Sequence, residues 1–371
     1  MYKHDNRIVI TLDAGGTNLV FGAMRGCEYI IDPITYPSNS TDLDACLDTM
    51  VRGFREVIDK LDEAPVAISF AFPGPADYPN GIIGGYLPNF PSFRDGVALG
   101  PFLEHELGLP VFINNDGDLF AYGEALCGQL PELNHRLAEA GSSKRFRNLI
   151  GYTFGTGFGV GTVVNGQLNQ GDNSCVETFC LPHKTKPGII TEEGVAVRAI
   201  KRVYAEASGN YDHSFEPKEI CEIADGKREG DPEAARRAFA EFGETAGNAM
   251  AIAAQLIDGI IVIGGGITAA RHHILPSLLA ELRSSYATLS GDQVRRVQME
   301  VFNLDDPKEF ERFAKGNRKT LTIKGTNLTV DYDDMKRIGV TFSQLGASKA
   351  ISAGAYAFAL SELDKKEAEQ K

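Results

Sequence analysis

The chain has 371 residues, 43% of them hydrophobic and 23% charged, an ordinary balance for a globular protein with length enough for two sizeable cores. Its 37 basic residues face 50 acidic ones, and the net charge of −13 argues against nucleic acid or an anionic membrane as main partner. The polar start lacks a signal-peptide core and no apolar run reaches membrane length, while Cys27, Cys46, Cys127, Cys175, Cys180 and Cys221 are scattered as free thiols of a reducing cytoplasm would be.

In chain order, Ile8 to Met24 comes first: an apolar run stops at Asp13, Gly15-Gly16-Thr17 follows, and a second apolar run begins at Leu19. Two strands joined at Gly-Gly predict a tight turn, since glycine tolerates φ > 0 and adds no Cβ. Backbone N–H groups in such a turn bind phosphate oxygens, and Asp13 stands where it can reach a cation or its water. A plain hairpin whose Asp caps its own backbone is the alternative.

Apolar residues at Leu43, Leu47, Val51, Phe54, Val57, Ile58 and Leu61 predict an amphipathic helix over 42–61. Val66–Phe72 reads as a buried strand halted by Pro73-Gly74-Pro75, and the loop from Ala76 to Pro91 carries Asn89. A helix over 97–107 and a strand over 109–113 lead to Asn114-Asn115-Asp116-Gly117-Asp118, then to a helical stretch over 119–127. Polar residues at the carboxyl end of such a strand are placed for a ligand. A carboxylate there can take a proton from a substrate hydroxyl, and Asp116 is the candidate, with Asn115 holding neighbouring hydroxyls. Capping of the helix is the bland role, assigned here to Asp118.

Residues 130–147 read as a polar surface excursion. Leu149 to Val164 then repeats the first construction: strand, turn Gly155-Thr156-Gly157, strand. Gly15 and Gly155 stand 140 residues apart, too far for a solenoid repeat and suited to two related halves facing across a cleft. Cys175, Cys180 and His183 offer three zinc ligands where a structural site wants four, so free thiols are expected instead. Glu192-Glu193 opens a helix through Tyr204, and acids in a first turn are also plain dipole partners. A long helix over 233–257 feeds the strand 259–263 and the corner Gly264-Gly265-Gly266. A hairpin over 320–332 turning at Gly325, and an Ala-rich helix over 346–363 with a frayed charged tail, complete the chain.

Taken in order, Asp13-Ala-Gly-Gly-Thr17, Pro73-Gly-Pro75, Asn115-Asp116, Gly155-Thr-Gly-Phe-Gly159 and Gly264-Gly-Gly266 resemble the ROK family of sugar kinases over residues 7–360. The resemblance implies an α/β, two-domain actin-like ATPase (ribonuclease H-like) fold with a cleft between lobes. The smaller lobe would hold residues 1–117 with about 350–371, and the larger 118–349. It also implies that Asp13, Gly15, Gly16 and Thr17 form the first phosphate element, Gly155, Thr156 and Gly157 the second, and that Gly264, Gly265 and Gly266 lie against adenosine. Asn115 and Asp116 match the sugar-binding Asn and catalytic Asp. Asn89, Glu177 and Glu192 (or Glu193) match sugar contacts. Cys180 stands where the family has a sugar- and zinc-binding His, and the family's zinc segment is absent, so ATP and magnesium are the expected cofactors and zinc is not.

The implied activity is transfer of the γ-phosphate of Mg-ATP to a hexose hydroxyl, glucokinase- or fructokinase-like, with Asp13 organising magnesium through water. The rival is a sugar- or nucleotide-sensing protein without turnover. A dehydrogenase is disfavoured because the chain contains neither G-x-G-x-x-G nor a G-x-x-x-x-G-K-[ST] loop. Partners expected are a hexose, with no nucleic acid and no membrane; a homodimer is left open. Only twelve residues precede Asp13, so the helix-turn-helix of family repressors is not expected. The stretches at about 128–148 and 294–340 read as inserts of undefined role.

Overall fold

In the computed structural model, residues 2–74, 76–211 and 214–370 are described. Pro75 of the Pro-Gly-Pro motif lies outside them. Two compact units emerge, one of residues 1–128, 161–176 and 344–371, the other of 129–160 and 177–343.

In the first unit the opening apolar runs form β1 (Val9–Ala14) and β2 (Asn18–Arg25), an antiparallel hairpin in which Leu12 faces Phe21. Short strands β3 (Glu28–Tyr29) and β4 (Ile34–Pro37) pair with β2. The 3.6-residue periodicity after Asp42 becomes α1 (Leu43–Lys60), and the Asp42 carboxylate caps it by accepting from Ala45 N at 3.1 Å. Phe54 of this helix meets Phe21 edge-on at 5.1 Å over the sheet. The fully buried β5 (Ala67–Ala71) runs parallel to β1. A small ribbon, β6 (Ala76–Asp77) with β7 (Ile82–Ile83), precedes α2 (Leu99–Leu107), and β8 (Val111–Asn114) adds parallel to β5. The sheet order is β3-β2-β1-β5-β8 with β4 on β2.

Next comes α3 (Asp116–Leu126), which packs on the C-terminal helix Ala347–Glu369 backbone to backbone. A Cβ on Gly123 would stand 1.9 Å from Ala350 O, and one on Gly354 would stand 1.8 Å from Leu119 O. The Ala-rich composition of the last helix follows from this closeness. Its tail does not fray as expected: the helix continues to Glu369, and Asp364 accepts from Tyr2 Oη and Arg7 Nη1. The free-thiol expectation also fails for one pair, because Cys27 in the β2–β3 turn is disulfide-bonded to Cys127 at the end of α3. Their separation of 100 residues hides the pairing in the sequence.

The second unit opens with a correction. Residues Gln129–Glu139 form α4 rather than a surface excursion, with Leu130, Leu133 and Leu137 buried along one stripe. The second sheet follows: β9 (Leu149–Phe154), β10 (Phe158–Val164) and β11 (Gln167–Leu168), of which the residues from 161 on belong to the first unit. Helices α5 (Val197–Ser208), α6 (Pro217–Ala224) and α7 (Pro232–Ile257) cover the core that β9 begins. Then come β12 (Ile260–Gly264), α8 (Arg271–Leu282) and the ribbon of β13 (Ser285–Ala287) with β14 (Gln293–Arg295). After β15 (Glu300–Asn303), α9 (Pro307–Lys315) leads to a hairpin of β16 (Arg318–Thr322) and β17 (Thr329–Asp333) with Gly325 at φ 83° in its turn. The last strand, β18 (Arg337–Phe342), lies between β12 and β15, giving the order β11-β10-β9-β12-β18-β15. The pattern of hairpin followed by parallel strands thus occurs in both sheets.

Candidate active site

In the first sheet, register alone assembles a polar rim. Asp13 pairs with Ala71, and Ala71 with Asn114, so β1, β5 and β8 end side by side at their carboxyl ends. Asp13 is exposed there, and Asn115 and Asp116 start α3 one step beyond β8.

The Gly15-Gly16-Thr17 turn needs glycine for a different reason from the one the dipeptide suggests. Neither Gly15 nor Gly16 has positive φ. A Cβ on Gly16 would instead meet Asn89 Cβ at 3.0 Å and Asn89 O at 3.1 Å. Asn89 therefore packs directly on the turn. The turn is further braced by a segment the sequence did not flag: Ser38 Oγ and Ser40 Oγ both donate to Gly16 O, at 2.5 and 3.0 Å, and Ser38 N donates to Thr17 O. Two serines flanking Asn39 just before a helix were the available signal.

At the start of α3, the cap is Asn115, whose Oδ1 accepts from Gly117 N at 2.7 Å. The amide nitrogen of Asn115 is not used in that cap. Asp116 Oδ1 accepts from the same N–H at 2.8 Å. The Asp116 side chain is exposed by area yet closely ringed by protein; this burial raises its pKa, and the nearby Asp13 charge adds to the rise. Asp118 does not cap the helix. It is buried at 6% exposure, and burial, then the Asp116 charge, pushes its carboxyl up to about 7.

In the second sheet, Ile263 pairs with Tyr152 and Gly264 with Thr153, so β9 and β12 also end level. The Gly155-Thr156-Gly157 turn is held by Glu192: Phe158 N donates to Glu192 Oε2 at 3.1 Å, and a Cβ on Gly157 would reach that oxygen at 3.0 Å. Arg198, absent from the sequence expectations, links the parts. It donates to Glu192 Oε1 at 2.8 Å and to Thr156 O at 3.3 Å, and pairs with Glu193 at 2.7 Å. Glu193 also pairs with Arg202, and the Arg198 contact holds its carboxyl below the usual range. Glu192 and Glu193 lie in a 3-10 turn (Thr191–Gly194) ahead of α5. Gly265, at φ 96°, is the position only glycine satisfies: a Cβ there would stand 2.2 Å from Phe154 O. The triple-glycine corner thus packs on the strand end that opens the second turn, and Gly155 and Gly266 have open space where a Cβ would be.

Glu177 lies in the loop that re-enters this unit, where its charge adds to the burial that raises the Tyr152 pKa. Of the residues weighed for zinc, Cys175 donates its thiol to Asn173 O, while His183 is buried with Nδ1 accepting from Thr185 N. Asp13, Gly15, Gly16, Thr17, Asn89, Asn115 and Asp116 belong to the first unit. Gly155, Thr156, Gly157, Glu177, Glu192, Gly264, Gly265 and Gly266 belong to the second.

A hairpin-plus-parallel-strand sheet built twice, with a glycine turn in each hairpin, defines an α/β ATPase of the actin-like fold. More particularly, the ROK family model matches residues 9–302, and the chain belongs to that family. The crystal structure of a glucokinase from Parabacteroides distasonis is 57% identical, covers 97% of this chain and 99% of its own, and has a TM-score of 0.89. A β-glucoside kinase from Listeria monocytogenes is 27% identical over 284 residues, 74% of this chain and 86% of that one. The fold is shared with a ROK family glucokinase from Streptomyces griseus, solved with glucose and AMPPNP, at 18% identity, 94% and 98% coverage and a TM-score of 0.60.

Proposed function

We propose that this chain, a carbohydrate kinase that uses ATP, phosphorylates the primary hydroxyl of glucose or a close hexose relative. The observation carrying the reading is the level ending of β1, β5 and β8, which gathers Asp13, Asn115 and Asp116 at one rim in a chain 57% identical to a glucokinase. Asp116 accepts the proton of the attacking hydroxyl. Its raised pKa makes it a better proton acceptor than an ordinary carboxylate, provided it is ionised. The sugar contacts of this reading are Asn89 and Asn115 in the first unit and Glu177 and Glu192 in the second.

In the first unit Gly15, Gly16 and Thr17 are a phosphate element; in the second, Gly155, Thr156 and Gly157 are another, and Gly264, Gly265 and Gly266 receive the adenosine. The open space at Gly155 and Gly266 lets a ligand approach their backbone. Asp13 fits magnesium: it is an exposed hard-oxygen donor, and among the described residues it makes no ion pair. When bound, the ion neutralises phosphate charge. The chain's own work is to position the acceptor and take its proton, which is most of what phosphoryl transfer requires. The same reading places the enzyme in the cytoplasm, where ATP is available; no helix is long and apolar enough to cross a membrane.

An ADP-release screen across hexoses and amino sugars tests this, with Asp116→Asn alongside. Turnover is expected on glucose and lost in the variant while sugar binding persists. Sugar binding without ADP release in the parent would mark the chain as a sensor instead.

A further inference from the structure

Outside the residues assigned above, one cluster brings four metal-binding side chains together. Cys221 and Asp225 stand four apart at the end of α6, hence on one face, and Asp225 N closes the helix on Cys221 O. His272 and His273 are consecutive at the start of α8. One ligand atom from each of the four lies within 4.8 Å of all the others.

His272 Nε2 and His273 Nε2 both point at the same oxygen, Asp225 Oδ1, at 2.9 and 2.8 Å. The two rings stand only 4.0 Å apart between centroids. A carboxylate oxygen can accept from two imidazoles, so this pair of contacts is sound without a metal; what a shared cation would require is the further convergence of the Cys221 thiol on the same three groups. The orientation is built rather than accidental. His273 is 15% exposed and stacks on Phe239 of α7 at 5.8 Å, and Asp225, 17% exposed, is held through its other oxygen by Lys227 at 2.9 Å.

We propose that Cys221, Asp225, His272 and His273 form a zinc site that staples the end of α6 to the start of α8. One thiolate, two imidazoles and one carboxylate make a four-donor set suited to tetrahedral Zn²⁺. With N and O ligands at about 2.0–2.1 Å the tetrahedral edge is roughly 3.3 Å, so the His–Asp contacts open by about half an ångström on loading. Loading releases the Cys221 thiol proton. Each imidazole must present a bare Nε2, its proton residing on Nδ1 or leaving to solvent. The strand β12 reaches α8 through Gly264-Gly265-Gly266 and the 3-10 turn Gly266–Ala270, so the staple anchors the far side of that corner. The site does not depend on the functional reading above.

The test uses the full chain, free of affinity tags, stripped with chelator, loaded with zinc and dialysed. One zinc per chain is expected by elemental analysis, together with a higher Tm than the stripped form. With cobalt in place of zinc, a thiolate-to-metal charge-transfer band is expected. Cys221→Ser should abolish that band. His272→Ala, at an exposed position that leaves packing intact, should weaken zinc binding by more than the roughly 10–100-fold typical of losing a supporting hydrogen bond. Cys175→Ser with Cys180→Ser should change neither. Failure to retain zinc, equal retention in Cys221→Ser and His272→Ala, or loss of zinc in the Cys175→Ser/Cys180→Ser variant would each overturn the assignment.

Discussion

The two glycine turns share a plan and differ in their electrostatics. Around Gly15-Gly16 the braces are neutral, two serine hydroxyls on one carbonyl, and the nearby acids Asp13, Asp116 and Asp118 make no ion pair among the described residues. Around Gly155-Gly157 the brace is ionic: Glu192 accepts from Phe158 N just after the turn, and Arg198 with Arg202 balances the charges of Glu192 and Glu193. An unneutralised acidic rim can bind a cation and exchange a proton, whereas a charge-balanced one mainly holds shape. In the proposed reaction the chemistry therefore falls to the first turn and positioning to the second.

The strongest way to break that contrast is Asp116→Asn. We expect kcat to fall about 10²–10⁴-fold with hexose affinity little changed; turnover within a few-fold of the parent would take the base away from the first rim. Next in size is Gly265→Ala, which forces an alanine to φ 96° with its Cβ against Phe154 O. A loss of about 2–4 kcal/mol in chemical denaturation is expected, against about 1 kcal/mol for Gly16→Ala, whose φ is ordinary and whose contacts with Asn89 begin at 3.0 Å rather than 2.2 Å. Equal losses would show that crowding alone, not backbone strain, governs both corners.

Asp118 sharpens the contrast through pH. Its folded pKa of about 7 lies above the ordinary 3.8, so between those values the native state holds the proton more tightly than the unfolded chain. Stability from this group is present at low pH and lost as pH rises from about 4 to 7, by at most about 1.4 kcal/mol per pH unit. Asp118→Asn should remove that decline in urea midpoints measured from pH 4 to 8; superimposable profiles for parent and variant would refute the assignment. The smallest effects are in the braces. Arg198→Ala should raise KM for ATP several-fold while sparing kcat, and Ser40→Ala should cost about 0.5–1.5 kcal/mol of stability. A kcat loss from Arg198→Ala as large as that from Asp116→Asn would erase the division of labour.

The sequence by itself determined the period of each element and the order of the motifs. An apolar run marks β1 and 3.6-residue patterns mark α1 and α7 because burial leaves a local signature, whereas the β16–β17 hairpin, whose strands are exposed, is marked by its turn glycine Gly325. The motif order sufficed for the family, since each glycine corner is contiguous in the chain. Only tertiary structure decided what touches across distance. The Cys27–Cys127 disulfide, the serines on Gly16 O, Asn89 against Gly16 and Arg198 on the second turn join residues whose spacing carries no period. The same holds for the solvent exposure that separates the exposed Asp116 from the buried Asp118, two acids that look alike in a string of letters. Hydrogen bonds and desolvation depend on three-dimensional neighbours, and those are fixed by the register of strands rather than by any local pattern.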